Sequence, residues 1–213
     1  MGEVVAHSNS FKTKDRFKKI VNSASELFLQ NGYKKTSLND IVEKSGGSLS
    51  TIYEYFGNKE GLFKAIIING IENFTQDIEE NIKVDSNLNL EEYLFKFGQI
   101  YLTLVLSKNS ILFHRLILNE AFLQKNSNMR NIFCSKLSEF KEKNLVEFFK
   151  KDEKIGKFSE EELGKIASNF LNLIREPYFF NALFYDENIE INKKELDQHL
   201  KKYIKIFLYG ILK

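Results

Sequence analysis

Gly46 and Gly47 stand side by side between two short apolar patterns, and neither pattern continues as a helix through the pair. Adjacent glycines admit the positive φ angles of a tight corner. The segment Thr36 to Leu62, TSLNDIVEKSGGSLSTIYEYFGNKEGL, therefore reads as two short helices meeting at a sharp turn. Upstream, Thr36 or Ser37 caps the first helix and Asp40 lies in its first turn, where negative charge suits the dipole. Leu38, Ile41 and Val42 give that helix one buried face. Downstream, Ser48 is the N-cap of the second helix, with Ile52 and Phe56 pointing inward at i, i+4 spacing and Ser50, Thr51, Tyr53 and Tyr55 on other faces. Asn58 then caps a longer helix opened by Gly61, Leu62, Phe63 and Ile66, which sets Lys59 beside a helix N-terminus.

These side chains suit a phosphate backbone and base edges. N–H groups at a helix start attract phosphate and a lysine adds a full charge, so Lys59 is the first phosphate-contact candidate. Tyr53 and Tyr55 can donate to phosphate, while Ser50 or Thr51 can touch base edges or thymine methyls in a major groove. The plain alternative is a solvated helix with half-packed tyrosines. Charge distribution favours DNA: the chain is nearly balanced, with 31 basic and 29 acidic residues, yet Lys12, Lys14, Arg16, Lys18, Lys19, Lys34 and Lys35 face only Asp15 and Glu26 over residues 11–36.

Residues 15–31 form an amphipathic helix in which Phe17, Ile20, Val21, Ala24, Leu27 and Phe28 recur on one face, and Gly32 stops it. With Phe28-Leu29-Gln30-Asn31-Gly32-Tyr33, Thr36, Ser48-Leu49-Ser50-Thr51-Ile52-Tyr53-Glu54-Tyr55-Phe56 and Asn58-Lys59-Glu60, the chain resembles the TetR family of bacterial transcription repressors. The resemblance implies that Thr36, Ser37, Ser48, Ser50, Thr51, Tyr53, Tyr55 and Lys59 form the DNA-binding set, contacting mostly phosphates. Two positions depart from the family pattern. Ser50 replaces the usual glycine, and Gly47 replaces the usual valine, which removes a core side chain and predicts a loosely held recognition helix.

From about residue 61 the pattern stays helical, with one proline in the chain and no run of alternating β-branched residues. The expected fold is all-α: a three-helix head with a helix-turn-helix over residues 1–58, and a larger helical ligand-binding and dimerisation body over 59–213. Body helices are expected at 59–83, 90–107, 111–124, 129–151, 159–185 and 193–212. Polar loops lie between them, including Asp85-Ser86-Asn87, and the first ten residues are expected to form a mobile tail.

Twenty phenylalanines and no tryptophan make the body rich in aromatics. Most serve a core, but two places suggest a pocket. Phe97 and Tyr101 share a helix face beside Gly98, which leaves a gap; Pro177 should kink the helix that carries Asn172, Arg175, Phe179 and Phe180. Arg175 can receive an anionic group, or simply pair with Glu176. The Arg175-Glu176-Pro177-Tyr178 run, the Ser45-Gly46-Gly47-Ser48 turn and Lys59 to Phe63 are similar to a branch that represses multidrug-efflux operons in epsilon-proteobacteria. That resemblance implies a tunnel for bulky hydrophobic or amphipathic ligands such as bile acids, lined by Phe97, Tyr101, Phe113, Phe140, Asn172, Arg175, Phe179 and Phe180.

A two-fold dimer reads two half-sites, and the resemblance implies that residues 159–185 and 193–212 pair across it. Leu196, Leu200, Tyr203, Ile204, Phe207, Leu208 and Ile211 offer the apolar stripe, part of which must face the chain's own body. The expected partners are thus a double-stranded DNA operator, a small-molecule effector and a second copy, with no membrane. One cysteine, Cys134, excludes an intramolecular disulfide, and His7, His114 and His199 lack metal-ligand spacing. No catalytic constellation, cofactor motif, signal core or run of ~18 apolar residues is present. The expectation is a cytoplasmic regulator and not an enzyme; its rival is a TetR-fold DNA-binding or architectural protein that no small molecule controls.

Overall fold

The computed structural model describes residues 11–82, 88–123, 127–153, 155–185 and 192–210. The expected amino-terminal tail, the Asp85-Ser86-Asn87 loop and Ile211 lie outside the described residues. Eleven helices are described: α1 (Phe11–Asn31), α2 (Leu38–Ser45), α3 (Leu49–Phe56), α4 (Lys59–Asn81), α5 (Leu90–Val105), α6 (Lys108–Ile117), α7 (Ser127–Lys141), α8 (Glu147–Phe149), α9 (Glu160–Arg175), α10 (Tyr178–Tyr185) and α11 (Lys193–Tyr209). No strand occurs among the described residues, and the fold is all-α. No described helix is long and apolar enough to cross a membrane.

Two compact units make up the chain. The first, the head, gathers the described residues up to Gly70 with Leu116–Phe133; the second, the body, holds Ile71–Arg115 and Cys134 onward. In the head, Ile20, Val21, Ala24 and Phe28 of α1 are buried with Ile41 of α2 and Ile52 of α3. Leu62, Phe63, Ile66 and Ile67 are buried too, so this compact unit extends through the first turns of α4. Phe28, Tyr33 and Phe63 close the core as a ring triad, with centroids 5.0–5.8 Å apart.

In the body, α5 lies at the centre and its buried residues Tyr93, Leu94, Phe97, Tyr101, Leu102 and Val105 repeat at helical spacing. Gly98 marks the close approach of α11. A methyl added there would lie 2.6 Å from Leu200 Cδ2 and 3.6 Å from Ile174 Cδ1. The gap expected beside Gly98 is therefore filled by the body's own side chains.

The expected helix over 159–185 is two helices. Pro177 has no N–H and disfavours helical backbone in the residue before it; Glu176 accordingly adopts an extended conformation, φ −89° and ψ 149°. Glu176 Oε2 then accepts from Phe180 N at 3.1 Å, so the same residue that ends α9 caps α10. The expected 111–124 helix starts earlier, at Lys108, and becomes a π-helix over Leu118–Leu123. The 129–151 helix widens likewise over Glu142–Val146. There the buried Asn144 bonds back to the Phe140 carbonyl at 3.0 Å while its own carbonyl accepts from Tyr93 Oη, an arrangement that competes with a regular ladder. At the amino-terminal end, α1 begins at Phe11, one turn before the expected residue 15; α11 ends at Tyr209, ahead of Gly210.

Candidate nucleic-acid interface

Local hydrogen bonds build the corner. Ser37 Oγ accepts from Asp40 N at 3.1 Å and Asp40 Oδ2 accepts from Ser37 N at 2.8 Å, a reciprocal box that starts α2. The backbone bond from Ser37 holds the Asp40 carboxyl below its ordinary range. At the turn Gly46 has φ 70° and Gly47 φ 107°, as the glycine pair implies. Ser48 Oγ accepts from Thr51 N at 3.2 Å and caps α3, and Asn58 Oδ1 accepts from Gly61 N at 2.8 Å and caps α4.

On α3, Ile52 is buried while Ser50 and Tyr53 face outward, the tyrosine 53% exposed. Ser48 is exposed as well, and Thr51 is half-buried with its hydroxyl 3.1 Å from Ser48 Oγ. These four side chains form one polar surface. Tyr55 is different: it is half-buried and meets Phe17 edge-on at 6.2 Å, so its ring packs α3 against α1. Lys59 Nζ lies 4.3 Å from the Tyr33 ring centroid and 5.8 Å from that of Phe28, and desolvation lowers its ammonium pKa. Around the same unit Lys14, Lys18, Lys19, Lys34 and Lys35 are exposed.

Thr36 requires correction. It is 1% exposed and its hydroxyl donates to the Leu27 and Gly32 carbonyls at 3.2 and 3.0 Å, tying the end of α1 to the start of α2. A side chain so enclosed cannot reach DNA, and Ser37 alone caps the helix. Gly47 also departs from expectation. Its position is exposed and not part of the core, and the Arg16 guanidinium occupies the space beside it. From the sequence Arg16 reads only as part of a basic face; the small residue at 47 is the one signal of its role.

The aromatic candidates of the body divide. Phe97, Tyr101 and Phe140 are core residues that pack on one another and on Phe74, with ring centroids 5.5–6.4 Å apart. Tyr101, Arg175 and Phe179 do come together: the Arg175 charge acts on the Tyr101 phenol, and the guanidinium lies 4.5 Å from the Phe179 ring centroid. Burial raises the Tyr101 pKa, against the nearby Arg175 charge, which lowers it. His114, which the sequence did not single out for this cluster, sets its ring edge-on to Phe179 at 4.9 Å, with half-buried Phe113 beside it. Arg175 also donates to Asn172 Oδ1 at 2.9 Å and lies 3.4 Å from Glu176 Oε1, so the plainer ion-pair reading holds as well. Asn172 faces an open groove of about 510 Å³, shared with Leu173, Pro177 and Tyr203. Phe180 is 48% exposed and packs at a tilt on Phe184 instead, with ring centroids 4.8 Å apart. Neither belongs to the buried aromatic cluster.

Burial also depresses the imidazole pKa values of His114 and His199 below the ordinary 6.5, against the hydrogen bonds they make to the Ser110 and Ile174 carbonyls. Below 6.5 the unfolded chain takes up protons that the folded rings refuse, so this contribution is complete above 6.5 and is lost on acidification. The melting temperature is expected to fall between about pH 7.5 and about pH 5.5, and an H114Q/H199Q variant should flatten the slope. An unchanged slope in that variant would remove the two rings as its source.

A capped pair of short helices with a polar tyrosine-bearing outer face, set among exposed lysines, defines a helix-turn-helix DNA-binding protein. The sequence profile of the bacterial regulatory proteins of the tetR family matches residues 20–66, and that of the AefR-like transcriptional repressor C-terminal domain matches residues 92–210. The chain belongs to the TetR family, whose members are DNA-binding regulators and not enzymes. It is similar to the HTH-type transcriptional repressor ComR of Escherichia coli (strain K12), 42% identical over 62 residues that cover 29% of this chain and 30% of ComR. A TetR-family regulator from Mesorhizobium loti MAFF303099 shares the fold at TM-score 0.80 and 20% identity, covering 93% of this chain and 98% of that one. The flavonoid-responsive regulator FrrA does so at TM-score 0.73 and 23% identity, with 92% and 96% covered.

Proposed function

We propose that this regulator is a homodimeric repressor that binds a palindromic operator through α3 and is released by a bulky hydrophobic or amphipathic effector. The observation that carries the DNA reading is the outward polar surface of Ser48, Ser50, Thr51 and Tyr53 on a helix that buries only Ile52 fully. Two copies place two such helices in successive major grooves, which one short helix cannot do with useful affinity. For the dimer we assign α9, α10 and α11. Leu200 and Ile204 belong to the body's own core, whereas Phe180, Phe184, Tyr185 and Tyr209 are at least 48% exposed and are available to a partner.

The effector site we assign to Tyr101, Arg175, Phe179, Phe113 and His114. Aromatic rings supply apolar contact and the guanidinium orients an anionic group. FrrA is flavonoid-responsive, a precedent for a planar amphipathic effector in this fold. The efflux-operon target rests on the likeness of the Arg175 to Tyr178 run to that branch. Release follows if the effector favours a state of α4, the helix common to head and body, in which the half-site spacing no longer fits; only differential affinity for the two states drives it. One observation favours the rival: Phe97, Tyr101 and Phe140 are closely packed, as in a body with no guest to admit.

Fluorescence anisotropy on the protein's own upstream intergenic DNA, with and without a bile acid or a flavonoid, separates the two readings. Tight binding weakened by either ligand is the expected result. Tight binding indifferent to both would support the ligand-independent regulator, and equal affinity for unrelated DNA would overturn the operator reading.

A further inference from the structure

We propose that Arg16 is a positioning residue for DNA reading, which holds the α2–α3 turn by occupying the space that a side chain at position 47 would fill. The inference rests on α3 being the reading helix. Arg16 Nη1 donates to the Ser45 carbonyl at 3.1 Å across 29 positions of sequence. Ser45 is the last residue of α2 and is buried, so that carbonyl is one of the orphan acceptors that a helix C-terminus leaves behind. A cation there also meets the negative end of the helix dipole.

The glycine pair shapes the seat. A Cβ built on Gly47 would collide with Arg16 Nη2 and lie 2.6 Å from Cζ, and a Cβ on Gly46 would lie 3.8 Å from Nη1. Gly47 thus serves twice, by accepting φ 107° and by leaving room for the planar guanidinium. Next along α1, Phe17 packs on Phe56 at 5.0 Å and on Tyr55 at 6.2 Å. Consecutive residues of α1 therefore grip both ends of α3: Arg16 at the turn that precedes it, Phe17 at its last turn. The setting of Ser50 and Tyr53 toward a groove depends on both grips. Lysine carries the charge but not the rigid fork, so it cannot replace Arg16 at this seat.

The test uses the full-length protein, with operator affinity measured across salt for the wild type, R16A, R16K, G47A and R16A/G47A, at a temperature where each is folded by circular dichroism. R16A is expected to weaken operator binding on the order of tenfold, the scale of losing one charged hydrogen bond, with R16K close to it. The salt slope should not change, because no phosphate contact is lost. G47A should weaken binding too, and the double variant should lose less than the product of the single losses, since φ strain cancels in the cycle and the Arg16 collision is absent. Amide exchange across Leu49–Phe56 should accelerate in R16A. A slope reduced by about one for each head would make Arg16 a phosphate contact instead. Full rescue by R16K, multiplicative losses, or a lowered melting temperature with unchanged affinity would each overturn the proposal. A wild type that binds no DNA would overturn the reading of α3 and this inference with it, whereas the outcomes above overturn the inference while that reading stands.

Discussion

Replacing Phe97 with alanine is expected to destabilise the body by about 3–5 kcal/mol, the range for removing a fully enclosed phenylalanine ring from a core. The ring is 0% exposed and meets Tyr93, Tyr101, Phe140 and Phe170 at centroid separations of 5.7–6.4 Å. Gly98 next to it already lies against Leu200 and Ile174, so neighbouring backbone cannot move far to close the void. Urea unfolding followed by circular dichroism reads the effect as a lowered midpoint. A residue lining an effector pocket would behave otherwise, with little lost stability and a weakened ligand response. A cost under about 1 kcal/mol would return Phe97 to the pocket.

Operator binding is expected to lose about 10³- to 10⁵-fold in affinity between 50 and 200 mM salt, if the dimer neutralises six to ten phosphates. Lysines 14, 18, 19, 34 and 35 are exposed and are expected to supply most of that dependence. Lys59 is the informative case. Its ammonium rests over Tyr33 and is already partly desolvated, so its contact with phosphate requires less stripping of water. K59A should reduce the slope by about one for each head, whereas Y53F should weaken binding through a lost neutral hydrogen bond and leave the slope unchanged. A slope that K59A does not alter would make Lys59 a prop for the head's aromatic triad and nothing more.

How legible these features are in the chain follows from how local they are. Ser37, Ser48 and Asn58 are readable as caps because the donor that each satisfies lies three residues away. The turn is readable because Gly46 and Gly47 have few other uses between two periodic segments. The break at Pro177 reads as a kink and not as two helices, since Tyr178 to Tyr185 continues an apolar helical pattern and nothing in it shows that Glu176 will cap α10. Proximity along the chain places Phe180 and Asn172 beside Phe179, although only Asn172 meets Arg175, and does so at the surface. Helical rotation turns them outward while Phe179 turns in.

From the residues alone came the all-α class, the helix-turn-helix and the polar face of α3, because caps, periodicity and glycine turns act over a few positions. Folding settled matters that depend on residues far apart. Thr36 became a buried tie between α1 and α2, Gly98 a seat for Leu200, Phe97 part of a closed aromatic core, and Arg16 the occupant of the space that Gly47 leaves. Each of these is a question of which atoms share a volume, and a volume is assigned only when helices distant in sequence have packed.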